Sequence, residues 1–460
     1  MSPARTAVVW FRRDLRLHDH PALRHALDDA DRVVPLFVVD ERILAGRWPS
    51  PNRSWFLAGA LRSLAAELRD RGSELLVVRG DPVTVVPEIA TRFGAGFVAV
   101  SRDFTPYGRS RDAAVGEALR QGSTELRAGR GLLVHEPEEV RRQDGAPFVV
   151  FSPFHRRWLE REARPMIPAP DHIPTPALDP GGDPAAIVGD PRPTADPATI
   201  LEPSAAAARD RLHRWAASAA LRDYDTGRDR LDPEGTSRLS QDLRFGLLSP
   251  VEVLRSCSGN ARGPARFRSE LAWRDFYAHL LWHRPELART SFHRELDDVA
   301  WERSRDVIEA WQAGRSGYPV IDAAMRQLVA TGWMPNRARM IVASFLTKHL
   351  GVDWRVGEAW FMRHLVDGDP ASNNGGWQWA ASTGTDPQPW FRIFNPTLQG
   401  RRFDPNGDYV RRWVPELAGR EDLAGGDVHE PPPGAYLPPI VDHAEARRRA
   451  LAAYEARRVR

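Results

Sequence analysis

The sequence holds one cysteine, Cys257, and one lysine, Lys348. A single thiol excludes a disulfide framework and a thiolate zinc centre. No run of 18 apolar residues occurs, and Met1–Trp10 lacks the charged-then-apolar pattern of a secretion signal. We therefore expect no membrane span and no export, and a soluble cytoplasmic protein. No glycine-rich loop ends in Gly-Lys-Ser/Thr, which excludes a P-loop nucleotide hydrolase. Gly94-Ala95-Gly96 follows a dinucleotide-binding pattern only loosely and precedes an apolar run, so it reads as a turn. His18-Asp19-His20 lacks a third convergent ligand and reads as a solvated loop; no metal site is expected.

What is present is ordinary in bulk and unusual in detail. At 460 residues, 42% hydrophobic and 27% charged, the chain suits about three globular domains. Its net charge of +3 does not by itself mark a nucleic-acid binder. Yet 63 of its 64 basic residues are arginine, whose flat fork suits phosphate and carboxylate. A G+C-rich genome, which replaces lysine with arginine, is the plainer source of that bias. Eleven of the 16 tryptophans lie between Trp273 and Trp413 among many arginines. Such interleaving suits stacked bases and phosphates, although large helical cores also use tryptophan.

Residues 1–135 alternate short β-branched runs with longer amphipathic stretches. Strands are predicted at Ala7–Phe11, Val33–Val39, Leu75–Val78, Phe97–Ser101 and Leu132–His135, with helices at Pro21–Ala30, Arg53–Arg71, Pro82–Phe93 and Ser110–Gln121. This order predicts an α/β domain built on a doubly wound parallel sheet, with ligands beyond the carboxyl ends of the strands. Arg12, Arg13, Asp14, Asp40 and Asp103 fall at that edge. Residues 136–204 read as a proline-rich linker: Pro165–Pro203 has 11 prolines in 39 residues, too many for a packed element. Residues 205–460 carry helical spacing and read as one mostly helical domain.

Four segments of this second half carry chemistry. Thr236-Ser237-Arg238-Leu239-Ser240 places hydroxyls and amides ahead of a helix, as an anionic pyrophosphate requires or as a plain capped start would. Glu270, Trp273 and Arg274 share one face of a helix, where they could serve a site or form an intrahelical ion pair beside a packed indole. Trp333–Met340 opens another helix with Pro335 as its start signal. Asp367–Trp379 packs acids, amides, glycines and two indoles into a stretch that fits neither helix nor strand. It suits a flat, hydrogen-bonding heterocycle.

Together with Val9–Leu17 and Gly317–Arg326, these segments resemble the photolyase/cryptochrome family, and most closely its class I cyclobutane pyrimidine dimer photolyases. The resemblance covers nearly the whole chain apart from the proline-rich stretch and the arginine-rich tail. It implies a light-harvesting N-terminal domain and a helical domain that binds FAD. The implied activity is light-driven electron transfer from reduced FAD to a dimer flipped out of UV-damaged DNA. The resemblance assigns Tyr224, Thr236, Ser237, Arg238, Leu239, Ser240, Trp273, Arg274, Asn336, Arg339, Asp367, Gly368, Asp369 and Asn373 to flavin contacts. Within that set Asn373 matches the residue beside the redox-active nitrogen. Glu270, Trp273, Tyr277, Asn336, Met340 and Trp379 match the lesion pocket, and Arg228, Arg337 and Gln399 the DNA strand contacts. Trp377, Trp354 and Trp301 match the chain that reduces the flavin.

Two departures qualify the match. Many relatives carry histidine where Pro335 stands. Folate-binding relatives carry asparagine and glutamate where Tyr107 and Gly108 stand; the run Pro106–Asp112 instead resembles relatives that bind 8-hydroxy-5-deazaflavin. Arg53 and Asp103 fall on positions that contact that antenna, so this chromophore is favoured over methenyltetrahydrofolate; the alternative is an empty pocket, since several relatives work without an antenna. The alternative function is a cryptochrome-type blue-light receptor without repair activity; Glu270 and Met340 match the repair set. Repair of (6-4) photoproducts would call for paired histidines near Trp333–Met340, and none stand there. We expect a monomer.

Overall fold

Buried β-branched runs pair side by side at the N-terminus, as their composition requires. In the computed structural model, which describes residues 5–231, 235–297, 299, 301–385, 392–419 and 427–458, β1 (Thr6–Phe11), β2 (Arg32–Val39), β3 (Leu76–Arg79), β4 (Ala95–Ser101) and β5 (Glu125–Gly129) form one parallel sheet of order β3-β2-β1-β4-β5. Helices α1 (Pro21–Asp29), α2 (Pro51–Arg69), α3 (Pro82–Arg92) and α4 (Pro106–Gln121) connect the strands. Each starts with proline behind a capping side chain: His20, Ser50, Asp81 and Thr105 accept from the first-turn amides. The doubly wound parallel sheet is as expected, and its order reverses between β1 and β4.

Three expectations are corrected here. The fifth strand is Glu125–Gly129, not Leu132–His135. The latter is a buried bend whose Val134 and His135 amides donate to Asp275 Oδ2 at 3.0 and 3.1 Å. Its apolarity reports burial and not strand pairing. Within the proline-rich stretch a packed element does form. Pro184–Val188 is helical, capped by Asp183 and closed by left-handed Gly189, with Pro184, Ala185 and Val188 buried. His18-Asp19-His20 is not solvated. Asp19 and His20 are buried; Asp19 accepts from Ser249 and Arg164, and His20 Nε2 lies 3.0 Å from Asp14. No cluster of metal-ligating side chains exists among the described residues.

Contacts divide the chain into two units. The first comprises Met1–Pro193, Leu201–Leu221 and Ser237–Pro285, and the second Thr194–Ile200, Arg222–Thr236 and Glu286–Arg460. Besides the sheet, the first unit contains α5 (Phe151–Leu159), α6 (Pro184–Val188), α7 (Ala205–Ala217), α8 (Ser240–Phe245) and α9 (Arg262–His283). The second is helical among its described residues. It includes α10 (Pro319–Thr331), α11 (Asn336–Ser344), α12 (Trp354–His364), α13 (Pro370–Ala381) and α14 (Pro396–Phe403) around an apolar core containing Trp311, Trp354 and Trp377, and α15 (His443–Arg458), whose Tyr454 packs with Leu296 and Val299. No described helix is long and apolar enough to cross a membrane.

Helix α13 corrects a fourth expectation, that Asp367–Trp379 fits neither helix nor strand. Pro370 opens it, and the Asp369 carboxylate accepts from the Ala371 and Ser372 amides. Burial of Ala371, Asn374, Trp377, Gln378 and Ala381 then outweighs the cost of Gly375 and Gly376, about 1 kcal/mol each. Helix α11 continues into a π turn, Phe345–His349, that carries the only lysine. Lys348 Nζ donates to Ser382 Oγ at 2.7 Å and lies 4.7 Å from the Tyr454 ring centre. Burial pushes its ammonium well below the usual lysine range.

Candidate active site

In the first unit the site is built on α9. Between Ser269 and Leu281 the residues of this helix that escape burial are Glu270, Trp273, Arg274 and Tyr277. Their spacing of three and four residues places them on one stripe, while Leu271, Ala272, Asp275, Phe276 and Ala278 are buried. The intrahelical ion contact considered from sequence involves other partners: Glu270 lies 3.7 Å from Arg266, and Arg274 Nη1 donates to the Leu132 carbonyl at 2.6 Å. Tyr277 lies 5.4 Å from the Trp273 ring.

Asp275 fixes the back of this helix. Its Oδ2 accepts from Val134, His135 and, at 2.9 Å, Trp158 Nε1 of α5. Burial outweighs those bonds and Arg274, pushing the carboxyl up to about 6. Ser237 to Ser240 lie at the start of α8, with the Leu239 amide donating to Ser237 Oγ at 3.4 Å. Arg238 holds a left-handed φ of 53°, a conformation costing about 1–2 kcal/mol outside glycine.

The second unit carries the other candidates. Asp367 follows α12, and its Oδ2 accepts from Arg339 Nη2 at 2.8 Å, while Arg339 Nε donates to the Met334 carbonyl. Asp367 Oδ1 is buried and meets no donor among the described residues. Gly368 lies between that carboxylate and Asp369, which caps α13. Asn373, one turn into α13, donates to the Glu358 carbonyl at 3.1 Å. Tyr224 is buried in a one-turn helix, and Thr236 is half-buried. Asn336 is exposed at the start of α11, with its Nδ2 3.6 Å from Met340 sulfur; Met340 and Trp379 both rest on the core.

Trp377, Trp354 and Trp301 run from buried to half-buried. Trp377 is enclosed, edge-on to Phe361 at 4.9 Å and to Trp311 at 6.1 Å. Gly357 of α12 lies so close that a Cβ there would come within 2.0 Å of the Trp377 ring. Trp354, one turn earlier on α12, donates its Nε1 to Ser291 Oγ at 3.2 Å. The Glu302 amide bonds the Gly351 carbonyl at 2.7 Å, which brings Trp301 beside the start of α12. Of the eleven clustered tryptophans, Trp390 lies outside the described residues.

Arg228 and Arg337 share a carboxylate. Asp229 lies 2.7 Å from Arg337 Nη2 and 3.5 Å from Arg228 Nε, and the Arg337 guanidinium sits 4.4 Å over the Phe403 ring. Burial alone would raise Asp229, but the two arginines hold it below the usual carboxylate range. Gln399 stands one turn before Phe403 on α14.

Two family models match the chain. Residues 7–176 match the model described as DNA photolyase, and residues 267–456 the one described as the FAD binding domain of DNA photolyase. The deoxyribodipyrimidine photo-lyase of Streptomyces griseus is 42% identical over 465 residues, covering 96% of this chain and 98% of that protein. The chain belongs to the photolyase/cryptochrome family. It is therefore an enzyme of the photolyase class, a flavoprotein lyase of DNA repair. Among solved structures, a class III photolyase from Agrobacterium tumefaciens superposes with a TM-score of 0.91 at 37% identity, covering 100% of this chain and 99% of that one. An archaeal photolyase from Sulfolobus tokodaii with two FAD molecules gives 0.87 at 32% identity, covering 98% of this chain and 100% of that one. These matches fix the family and leave class I as the reading from sequence.

The photolyase family implies FAD, and the second unit suits one end of it. A buried carboxylate oxygen without a donor, on Asp367, calls for a ligand N–H group, and the pyrimidine-like ring of a flavin carries one. The antenna candidates lie in the first unit. Asp103 is buried beside Arg13 and Arg111 at 3.8 and 3.6 Å. Burial would raise it, but those arginines and Arg12 hold it at about 2. Arg53 Nη2 donates to the Trp48 carbonyl at 2.6 Å. Sequence reading missed Phe151, whose ring stacks on Trp273. Nothing local marks it, because the partner stands on a helix far along the chain.

Proposed function

We propose that this photolyase repairs cyclobutane pyrimidine dimers in DNA under near-UV or blue light, acting as a monomer. The observation that carries the reading is the stripe on α9, where an acid, an indole, a guanidinium and a phenol are the unburied groups of an otherwise buried helix segment. Such a stripe suits a pyrimidine lesion extruded from the duplex and offered without its partner strand. When bound and reduced, FAD supplies the light-excited electron that opens the cyclobutane ring and afterwards takes it back. Trp273 stacks on the dimer and excludes water. Glu270 hydrogen-bonds or protonates the carbonyl oxygen on which negative charge collects. Asp367, Asp369, Arg339 and Asn373 orient the cofactor, and Trp301, Trp354 and Trp377 pass electrons inward to it. Arg228, Arg337 and Gln399 contact the DNA strand.

An oligonucleotide containing one thymine dimer, incubated with reduced holoprotein in light and in darkness, tests this. Light-dependent restoration of intact thymines is expected. No restoration, with FAD bound and reduced, overturns it in favour of a photoreceptor.

For the second chromophore, 8-hydroxy-5-deazaflavin is favoured over methenyltetrahydrofolate. A Cβ on Gly108 would lie 2.3 Å from the Asp103 carboxyl carbon, which supports the view that the folate-type glutamate has no room here. Added violet-blue absorbance after reconstitution with deazaflavin is expected. Stoichiometric folate uptake would reverse the assignment.

A further inference from the structure

The Trp273 indole presents its two faces unequally. One lies flat against Phe151, with ring centres 3.7 Å apart and planes 8° apart, and the ring as a whole is half-buried. The His155 imidazole is parallel to Phe151, at 5.2 Å and 10°. We infer that Phe151 is a positioning residue for the lesion: it occupies one face of Trp273 and holds the plane of the indole, so that a pyrimidine dimer stacks on the opposite face alone. This rests on the repair reading above.

Phe151 can do this because α5 is fixed to α9 at several points. Trp158 Nε1 donates to Asp275 at 2.9 Å, and Phe154 lies 5.1 Å from Phe276. Phe151 itself is buried and also meets Phe276 edge-on at 5.7 Å. Its ring is thus held by Phe276 and His155 while Trp273 stays half-buried. An indole turns about two side-chain bonds, and a dimer that stacks on it must fix both. With the plane already set, that ordering cost falls before the lesion arrives. The role requires a flat ring at 151 and not volume alone, which separates it from ordinary core filling.

Affinity for an oligonucleotide with one thymine dimer, and for its undamaged twin, is measured in darkness on FAD-loaded wild type, F151L and F151Y. Wild type is expected to prefer the dimer. F151L should lose about 2- to 10-fold in dimer affinity, the scale of an aromatic pair, with affinity for undamaged DNA and bound FAD unchanged. Repair per absorbed photon at saturating substrate should be kept, and F151Y should behave as wild type. F151M gives the same test should F151L not retain FAD. Unchanged dimer affinity in F151L, an equal loss on both oligonucleotides, or F151Y as weak as F151L overturns the inference. A wild type without preference for the dimer overturns the repair reading itself, and this inference with it.

Discussion

Trp273 and Trp377 are both indoles of the proposed site, but their surroundings are built for different purposes. Trp273 is half-buried and stacked face-on against Phe151. Trp377 is enclosed, touched edge-on by Phe361 and Trp311, with Gly357 pressed against it. An indole with an outward face can receive a planar ligand. An indole surrounded on its edges can only pass something on, or fill space. Residue type alone does not separate these roles; the geometry of the neighbours does.

The largest effects should come from the proposed electron and lesion roles. W301F should abolish photoreduction of oxidised FAD yet leave repair by chemically prereduced protein intact, as followed by flavin absorbance and dimer loss. Loss of repair even in prereduced W301F would make this a structural indole like the core ones. E270A should retain FAD but lower repair per absorbed photon, and an undiminished yield would remove Glu270 from the lesion side.

A second prediction concerns the support behind Trp273. Asp275 titrates at about 6 in the fold, above the ordinary carboxylate value near 4. Between those values the native protein binds more protons than the unfolded chain, so this group's contribution to stability falls as pH rises from about 4 to about 6. The penalty is complete above that, on the order of 3 kcal/mol. Denaturation of wild type and D275N at pH 4.5 and 7.5 checks it: relative to D275N, wild type should be the weaker at the higher pH. A pH-independent difference would mean that the carboxylate is not desolvated.

Around Trp377 two glycines give opposite signs. G357A forces a methyl against the ring and should destabilise by about 1–3 kcal/mol. At Gly376 of α13 an added Cβ meets nothing within 4 Å, so G376A should stabilise by about 0.5–1 kcal/mol. Chemical denaturation reads both, and equal effects would contradict the enclosure of Trp377. The smallest effect is electrostatic. Because Asp229 draws on both Arg228 and Arg337, D229N should tighten DNA binding and steepen its salt slope by at most about one. An unchanged slope would mean that neither guanidinium reaches phosphate.

The sheet was legible in the sequence wherever hydrophobicity and pairing coincide, and Leu132–His135 shows where they part. A run held by one buried carboxylate has the same apolar signature as a strand held by a ladder. Helix α13 failed for the opposite reason: its glycines and asparagines read as breakers, while the cap and the buried face that rescue it act over distances no local window covers. Glu270, Trp273 and Arg274 could be placed on one face from spacing alone, but the stack of Phe151 on Trp273 depends on two helices meeting and left no trace in either segment. Buried His18-Asp19-His20 repeats the lesson, since its partners Arg164 and Ser249 are remote.

The solitary lysine makes the fold self-reporting. Lys348 offers the only side-chain primary amine in the sequence, and it is buried in the π turn against Ser382 and Tyr454. An amine-reactive reagent therefore reaches a lysine side chain only when that region opens. The rate of labelling at this position counts native-state openings of the helical unit, with no engineered probe and no competing lysine to subtract.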